Sequence, residues 1–595
     1  LYFMPQDGIG AAHVVTLGEP PSFYYTPRWS PDSKKIVLAD KRLNLWLVDV
    51  DHPTARKIDT DRYDSPGTNF DPAWAPDSKW IVYEKQLANH QHAAFIYSLE
   101  SHDSHQVTDG RSETLSARFD RGGKYLWFVA ATNVGPSAGW LDMSSYGRNV
   151  SMNVYAIVLA KDAHSPVEPE SDEEGSGSGS AGSAAPKPDS KTVHIDFDAI
   201  DQRIVALPIP RANYSGIEAG PTGTILLVEQ PMGFSDEDML ELDSTVPASI
   251  SKFDLKTRKV EKLVEHVDLG GANGFELSAD GQKMLFAAQK HWFVTPIDHA
   301  PKPGEGEVHL DGLEVWVDPR AEWKQMFHEV WRIERDFLYD PKAHGLDLAA
   351  AEKLFGTYID GIGGRADLDS LFEEMLGYLV LGHVFVNGPP PTERPVPVGL
   401  LGADFTVDHG HYRIAKILRG ENWNPRLIAP LTQPGVVVSE GDYLLEVNGR
   451  EVFVADPVER AFVGMAGKQT VLTVSKSPDG GTKRKVTVVP VASESQLRLR
   501  TWMEENRAKV DLLSGGRVGY VFIPDTAAGG FANFNRYFYS QIGKEAMVLD
   551  ERFNHGGQIA DYVINALQHQ PVMAIASREG DDVVDPAQAI FGPKV

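Results

Sequence analysis

The chain has 595 residues, 42% hydrophobic and 24% charged, with 57 basic against 83 acidic side chains and a formal net charge of −26. That length exceeds a single core and calls for several domains, and the charge argues against nucleic acid or an anionic membrane surface as partner. No cysteine occurs, which excludes disulfides, thiol nucleophiles and cysteine-held zinc, and no run approaches the ~18 apolar residues of a membrane helix.

The first third repeats itself. Arg28–Val37 (RWSPDSKKIV) recurs as Ala73–Val82 (AWAPDSKWIV) and, degenerate, as Arg118–Trp127, so that aromatic anchors return every 45 residues at Trp29, Trp74 and Phe119. A weaker copy is Phe275–Phe286. A period of this size with a Pro-Asp or Asp-Gly turn between apolar strands is the mark of β-propeller blades. About six blades are expected over 1–305, with the three aromatic anchors equivalently buried. A β-sandwich with chance turns is the competing reading. The stretch 167–190 is acidic and then Gly/Ser/Ala-rich. It cannot repay its ordering entropy and is expected to be a disordered insertion. Asp236–Asp243 reads as an acidic surface loop. His90 and His92, in a polar stretch, read as solvent-facing rather than as metal ligands.

Asp318-Pro319 supplies an N-cap and an N1 proline. The helix that follows carries Trp323, Met326, Phe327, Val330, Trp331 and Phe337 on one face, and Leu368–Leu379 makes a second amphipathic helix. A helical domain over 318–390 results. It ends in the strand-like run Val380–Val386 (VLGHVFV) with one histidine, His383. Spacing alone reads an isolated histidine among apolar residues as a core residue.

Residues 396–492 form a β-rich module, with strands expected at Tyr412–Leu418, Val436–Val438, Tyr443–Val447, Val471–Val474 and Lys485–Val489. Glu440–Gly449 (EGDYLLEVNG) is a PDZ signature, and PDZ modules bind extended peptide ends at a sheet edge. From 493 to 595 the pattern is α/β. Arg517–Ile523 and Ala546–Leu549 read as buried strands, Phe531–Ile542 and Ile559–Leu567 as helices, and Asn554-His555-Gly556-Gly557 as a sharp strand-to-helix turn. Such a turn leaves backbone N–H groups free to hold an oxyanion.

Tyr520–Pro524, Phe531–Tyr537 and Asp550–Gly557 resemble the catalytic core of the tricorn-type serine peptidases, in the C-terminal-processing-peptidase group. The likeness extends over nearly the whole chain, with Glu322–Leu346 its most distinctive helical segment. It implies a multidomain β and α/β protein: propeller, small helical domain, PDZ-like domain and a crotonase-like α/β peptidase core, incomplete at the C-terminus. It assigns the general base to His383, and substrate and oxyanion contacts to His555, Gly556 and Gly557, with the Gly557 N–H as principal donor. It also implies peptide substrates, no cofactor, no metal and a homo-oligomer, hexameric in the family. Two positions depart from the family pattern: Gly382 stands where the archaeal archetype has a serine, and His555 where relatives carry glycine.

Acyl-enzyme hydrolysis also needs a hydroxyl nucleophile, and none is read within the chain. Ser514, Ser540 and Ser577 lack a strand-to-helix elbow. In the family, the motif that Phe591–Val595 matches begins the strand leading to the serine. The nucleophile and the relay acid are therefore expected downstream, and the 595-residue chain alone is expected to be inactive. The competing function is a non-catalytic propeller–PDZ scaffold that binds peptides. Leu1–Met4 reads as the inside of a strand, so an upstream beginning is expected; the location is taken as cytoplasmic, or periplasmic if a signal peptide precedes it.

Overall fold

Blade-like sheets open the chain. The computed structural model describes all residues except 6, 8, 19–21, 65–69, 133–150, 169–191, 232–247, 269–274 and 389–395. It divides into two compact units. One is Leu1–Gly312 with Ile523–Tyr539 and Glu551–Ala589; the other is Leu313–Phe522 with Ser540–Asp550 and Ile590–Val595.

In the first unit, five successive four-stranded antiparallel meanders run from Tyr24 to Val308. These are propeller blades, each closed by hairpins whose twist suits a radial sheet. The expected sixth is present among the described residues only as the pair Tyr2–Phe3 and His13–Val14. The repeat is exact in register: Trp29 pairs with Ile36, Trp74 with Ile81 and Phe119 with Leu126. It is not exact in burial. Phe119 is 4% exposed but Trp29 is 48% exposed, because Phe119 lies inside a packed interblade cluster whereas Trp29 meets the short N-terminal pair through an edge contact with Phe3, ring centres 6.2 Å apart. Residues 169–190 of the acidic insertion and the Asp236–Asp243 loop lie outside the described residues.

One expectation fails inside the second blade. His92 is buried on the strand His92–Ser98, with Nδ1 2.6 Å from Glu113 Oε1. Burial opposes its charge, and the Glu113 carboxylate more than offsets that, so its pKa is raised. His90 is exposed and packs on Tyr63, ring centres 4.4 Å apart.

The second unit begins with three helices, α1 (Pro319–Phe337), α2 (Leu348–Gly356) and α3 (Arg365–Gly377). Asp318 caps α1 through bonds from the Arg320 and Ala321 N–H groups at 3.1 and 3.3 Å. Phe327, Trp331, Phe355, Leu368, Phe372 and Met375 form their shared core. Phe337, placed on the buried face by spacing, is 45% exposed at the last turn of α1. The PDZ sheet follows in the order Ala403–Asp408, His411–Ile417, Tyr443–Val447, Thr470–Ser475, Arg484–Val488. Val436–Val438 is not a strand; this segment instead receives the Arg484 guanidinium at the Val437 carbonyl, 2.9 Å.

A 20-residue helix, α4 (Ser495–Ser514), leads from the PDZ sheet to a parallel pair, Val518–Phe522 and Ala546–Asp550. Met547 continues this ladder onto the last residues, bonding Pro593 and Val595 at 3.0 Å each. Buried Tyr520 donates its hydroxyl to Asp550 Oδ2 at 2.7 Å across the pair. Helices α5 (Ala528–Tyr539) and α6 (Ala560–Gln568) belong to the first unit.

Candidate active site

The turn from Asn554 to Gly557 is built by reciprocal hydrogen bonding with the residues that follow the Val518–Phe522 strand. Thr526 and Gly557 form a parallel bridge. The Thr526 N–H donates to Gly556 O at 2.8 Å, and Thr526 O accepts from Gln558 and Ile559 N–H at 2.5 and 2.7 Å. Because Thr526 bonds to the residues on either side of Gly557, the Gly557 N–H is directed away from that partner. The approach is close enough that a Cβ on Gly557 would lie 2.2 Å from the Thr526 carbonyl, and its φ of +134° suits only glycine.

The other expected donors are committed elsewhere. Gly556 N–H donates to Asn554 Oδ1 at 2.7 Å, and His555 N–H to Pro524 O at 3.1 Å. The Asn554 amide in turn donates to Ile523 O at 3.2 Å. No described residue accepts from the Gly557 N–H. Of the three residues named from sequence, one is thus left with an open backbone donor, and the exposed His555 imidazole flanks it. Asp525 stiffens the same corner by accepting from the Ala527 and Gly530 N–H groups at 2.8 Å each, which starts α5.

His383 belongs to the other unit and has a different setting. Val380–Val386 is irregular among the described residues, not the strand its composition suggests. Leu381 and Val386 pack against the α1–α3 core, while Gly382, His383, Val384 and Phe385 are exposed. His383 is therefore not a core histidine. Its ring makes an edge-on contact with Phe385, centres 6.2 Å apart. Both Val380 and His383 are left-handed, with φ of +52° and +60°, a strained choice for a β-branched valine. At the root of the segment, His344 Nδ1 lies 3.3 Å from Leu379 O and Nε2 lies 2.6 Å from Tyr339 Oη. A carbonyl only accepts, so Nδ1 carries the proton. The left-handed step at His344 was invisible in sequence; Tyr339-Asp340-Pro341 before it was the available turn signal.

Ser514 and Ser577 make local bonds. Ser514 Oγ bonds Asp511 O at 3.2 Å and accepts from Val518 N–H at 3.1 Å, and Ser577 Oγ donates to Glu579 O at 2.5 Å.

The propeller holds a separate cavity of about 810 Å³, lined among others by Arg28, Trp29, Trp74, Arg118, Arg121 and Glu218. Arg28, Ala73, Arg118, Glu218 and Glu276 occupy the same register position, next to last on the first strand of each blade. The charges at that level pair across blades: Arg28 with Glu276 at 2.8 Å, and Arg118 with Glu218 at 2.9 Å and Asp71 at 2.6 Å. Bulges just before Arg28 and Arg118 aim these side chains. Burial disfavours charge on Arg118, but Asp71 and Glu218 reverse this and hold its pKa high. Beneath it, burial and the nearby Asp71 push the Glu84 carboxyl up to about 8, while Glu84 Oε1 accepts from Ala117 N–H at 2.5 Å.

Three models of one family match in succession: the tricorn protease second beta propeller domain over residues 4–297, the tricorn protease C1 domain over 319–377 and the tricorn protease PDZ domain over 399–493. Tricorn protease homolog 1 of Streptomyces coelicolor is 31% identical over 484 residues, covering 78% of this chain and 44% of its own. A putative tricorn-like protease C-terminal subunit of Sulfurisphaera tokodaii is 29% identical, covering 94% and 62%. The crystal structure of the tricorn protease superposes with a TM-score of 0.80 at 21% identity, covering 96% of this chain and 54% of that one. The chain belongs to the tricorn protease family. It spans roughly half the length of these relatives. No helix among the described residues is long and apolar enough to cross a membrane.

Proposed function

We propose that this chain carries two parts of a serine peptidase site: His383 as general base and the Gly557 N–H as oxyanion donor. The observation that carries this reading is the turn itself. Thr526 fixes Gly557 from one side, and its N–H is the one left uncommitted in a rigid turn, the arrangement that stabilises developing negative charge without reorganisation. His383 is exposed and unpaired among described residues, so its ring is accessible to a hydroxyl nucleophile and to whatever orients it in place of the family's serine at Gly382.

The nucleophile comes from outside these 595 residues. Support for this is that Ser514 and Ser577 are held in local turns and that no serine lies on the Asn554–Gly557 elbow. The reaction is attack of that serine on a peptide carbonyl, with His383 accepting the hydroxyl proton and returning it to the leaving amine. The substrates are unfolded peptides and oligopeptides, and the assembly is a homo-oligomer. The propeller, with its charged level at Arg28, Arg118, Glu218 and Glu276, lies on the route they take. The domain limits that go with this reading are 1–305, 318–390, 396–492 and 493–595.

Turnover of an unstructured peptide by the polypeptide extended to the relatives' length tests it. His383→Ala should lower kcat by roughly a thousandfold or more. Retained turnover would remove His383 from the mechanism, and peptide binding without hydrolysis by the unsubstituted polypeptide would favour the scaffold reading.

A further inference from the structure

The strand Ala403–Asp408 lies at the edge of the PDZ sheet and pairs, among the described residues, with His411–Ile417 alone. Peptides join such an edge by strand addition, and backbone nests beside it capture terminal carboxylates. The loop Gly399–Gly402 leads directly into this edge. Gly402, just before the ladder that begins at Ala403, is left-handed with φ of +68°, and its N–H is not a ladder donor.

That donor is already in use. Gly402 N–H donates to Glu494 Oε2 at 3.0 Å. The other oxygen, Oε1, accepts from Arg498 Nε at 2.9 Å, and Arg498 Nη1 reaches Asp404 Oδ1, on the edge strand, at 2.8 Å. The chain just before Glu494 is stitched to the same loop, since Leu400 and Val491 exchange backbone bonds of 2.8 and 2.9 Å. Beyond it, Leu497 of α4 packs with Leu418, Leu427 and Ala429. Arg500–Glu421 and Lys416–Glu505 pairs at 2.9 and 2.6 Å fix the rest of the helix to the module. Glu494 is 13% exposed.

We propose that Gly399–Gly402 is a carboxylate-binding loop occupied by the chain's own Glu494. The PDZ module is then self-liganded by the start of α4, and it accepts a peptide's C-terminal carboxylate only when Glu494 leaves. A second carboxylate arriving at Gly402 would meet the charge of Glu494, and the guanidinium that could neutralise it is already shared between Glu494 and Asp404. This holds whether or not His383 is a catalytic base, because nothing in it depends on peptide hydrolysis.

The test uses the 595-residue chain and a fluorescein-labelled short peptide ending in an apolar residue with a free carboxylate, read by polarisation. The same peptide with an amidated C-terminus is the control. The unsubstituted chain should bind neither. Glu494→Ala should bind the free-carboxylate peptide at least about tenfold more tightly than the unsubstituted chain, since a charge-assisted bond competes for the donor, and should not bind the amide. Arg498→Ala, which loosens Glu494 without touching the loop, should fall between the two, and it decides the matter if Glu494→Ala does not fold. Equal binding by the unsubstituted chain and Glu494→Ala overturns the proposal. So does binding by neither substituted chain, or equal uptake of acid and amide.

Discussion

In the Asn554–Gly557 turn, backbone donors at His555 and Gly556 are taken by Pro524 and Asn554, and Thr526 clamps the bend. In the Val380–Val386 segment Leu381 and Val386 pack on the helical core, while the four residues between them are exposed. The contrast teaches which half of the proposed chemistry this chain determines by itself. An oxyanion donor must be aimed before the reaction begins, and local bonding suffices to aim Gly557. A base needs a partner that sets ring orientation and tautomer, and the described surroundings of His383 offer an edge-on phenylalanine.

Gly557→Ala should break the rigid side of this contrast most severely. Its Cβ would press on the Thr526 carbonyl from 2.2 Å at a φ of +134°, and overpacking together with a forbidden backbone angle costs about 3 kcal/mol or more. A matching fall in the denaturation midpoint is expected, and an unchanged midpoint would mean that the turn is looser than described.

A buried reference comes from the propeller, where Glu84 contrasts with the exposed His383. Its folded pKa, about 8, lies above the ordinary 4.5 of a glutamate. The folded state therefore holds a proton that the unfolded state has released. Stability from this group is fully present below the unfolded-state pKa and is lost as pH rises towards the folded one. Glu84→Gln, which keeps an acceptor for Ala117 N–H, should flatten that slope in thermal unfolding measured from pH 5 to 8. A slope unchanged by the substitution would assign the titration elsewhere.

Smaller effects sharpen the loose side. Val380→Asn should raise stability by about 1 kcal/mol, because asparagine tolerates the left-handed angle that valine does not. A loss would mean that Val380 packs against something despite being 85% exposed. His383→Ala should change stability by no more than about 0.5 kcal/mol, as for an exposed residue without partners; a larger loss would restore the core-histidine reading.

Much of the fold was legible because it rests on patterns that a sequence displays. The 45-residue period became blades with matching register at Trp29, Trp74 and Phe119. Burial of those anchors was not legible, since it depends on what each neighbouring blade offers. Val380–Val386 has strand composition, but a strand also needs a partner, and none is present among the described residues. Helix α4 went unread because its buried apolar residues are only Leu497 and Met503, too few to print a stripe. Its signal was Gly515, left-handed at the C-cap. At the candidate site, the residues placed the glycine turn and the resemblance named Gly557 as principal donor, but not why its N–H is the one left open. That follows from the Asn554 side chain taking Gly556, two residues on, and from Pro524 taking His555, the second a bond set by tertiary geometry.

The central claim is that His383 and Gly557 serve a serine supplied from outside these residues. A serine-reactive fluorophosphonate probe tests it on this chain and on the polypeptide extended to the relatives' length. The account predicts no labelling of the 595-residue chain, stoichiometric labelling of the extended one, and loss of that labelling on His383→Ala. Stoichiometric labelling of the 595-residue chain, abolished by His383→Ala, would contradict it and place the nucleophile among residues 1–595.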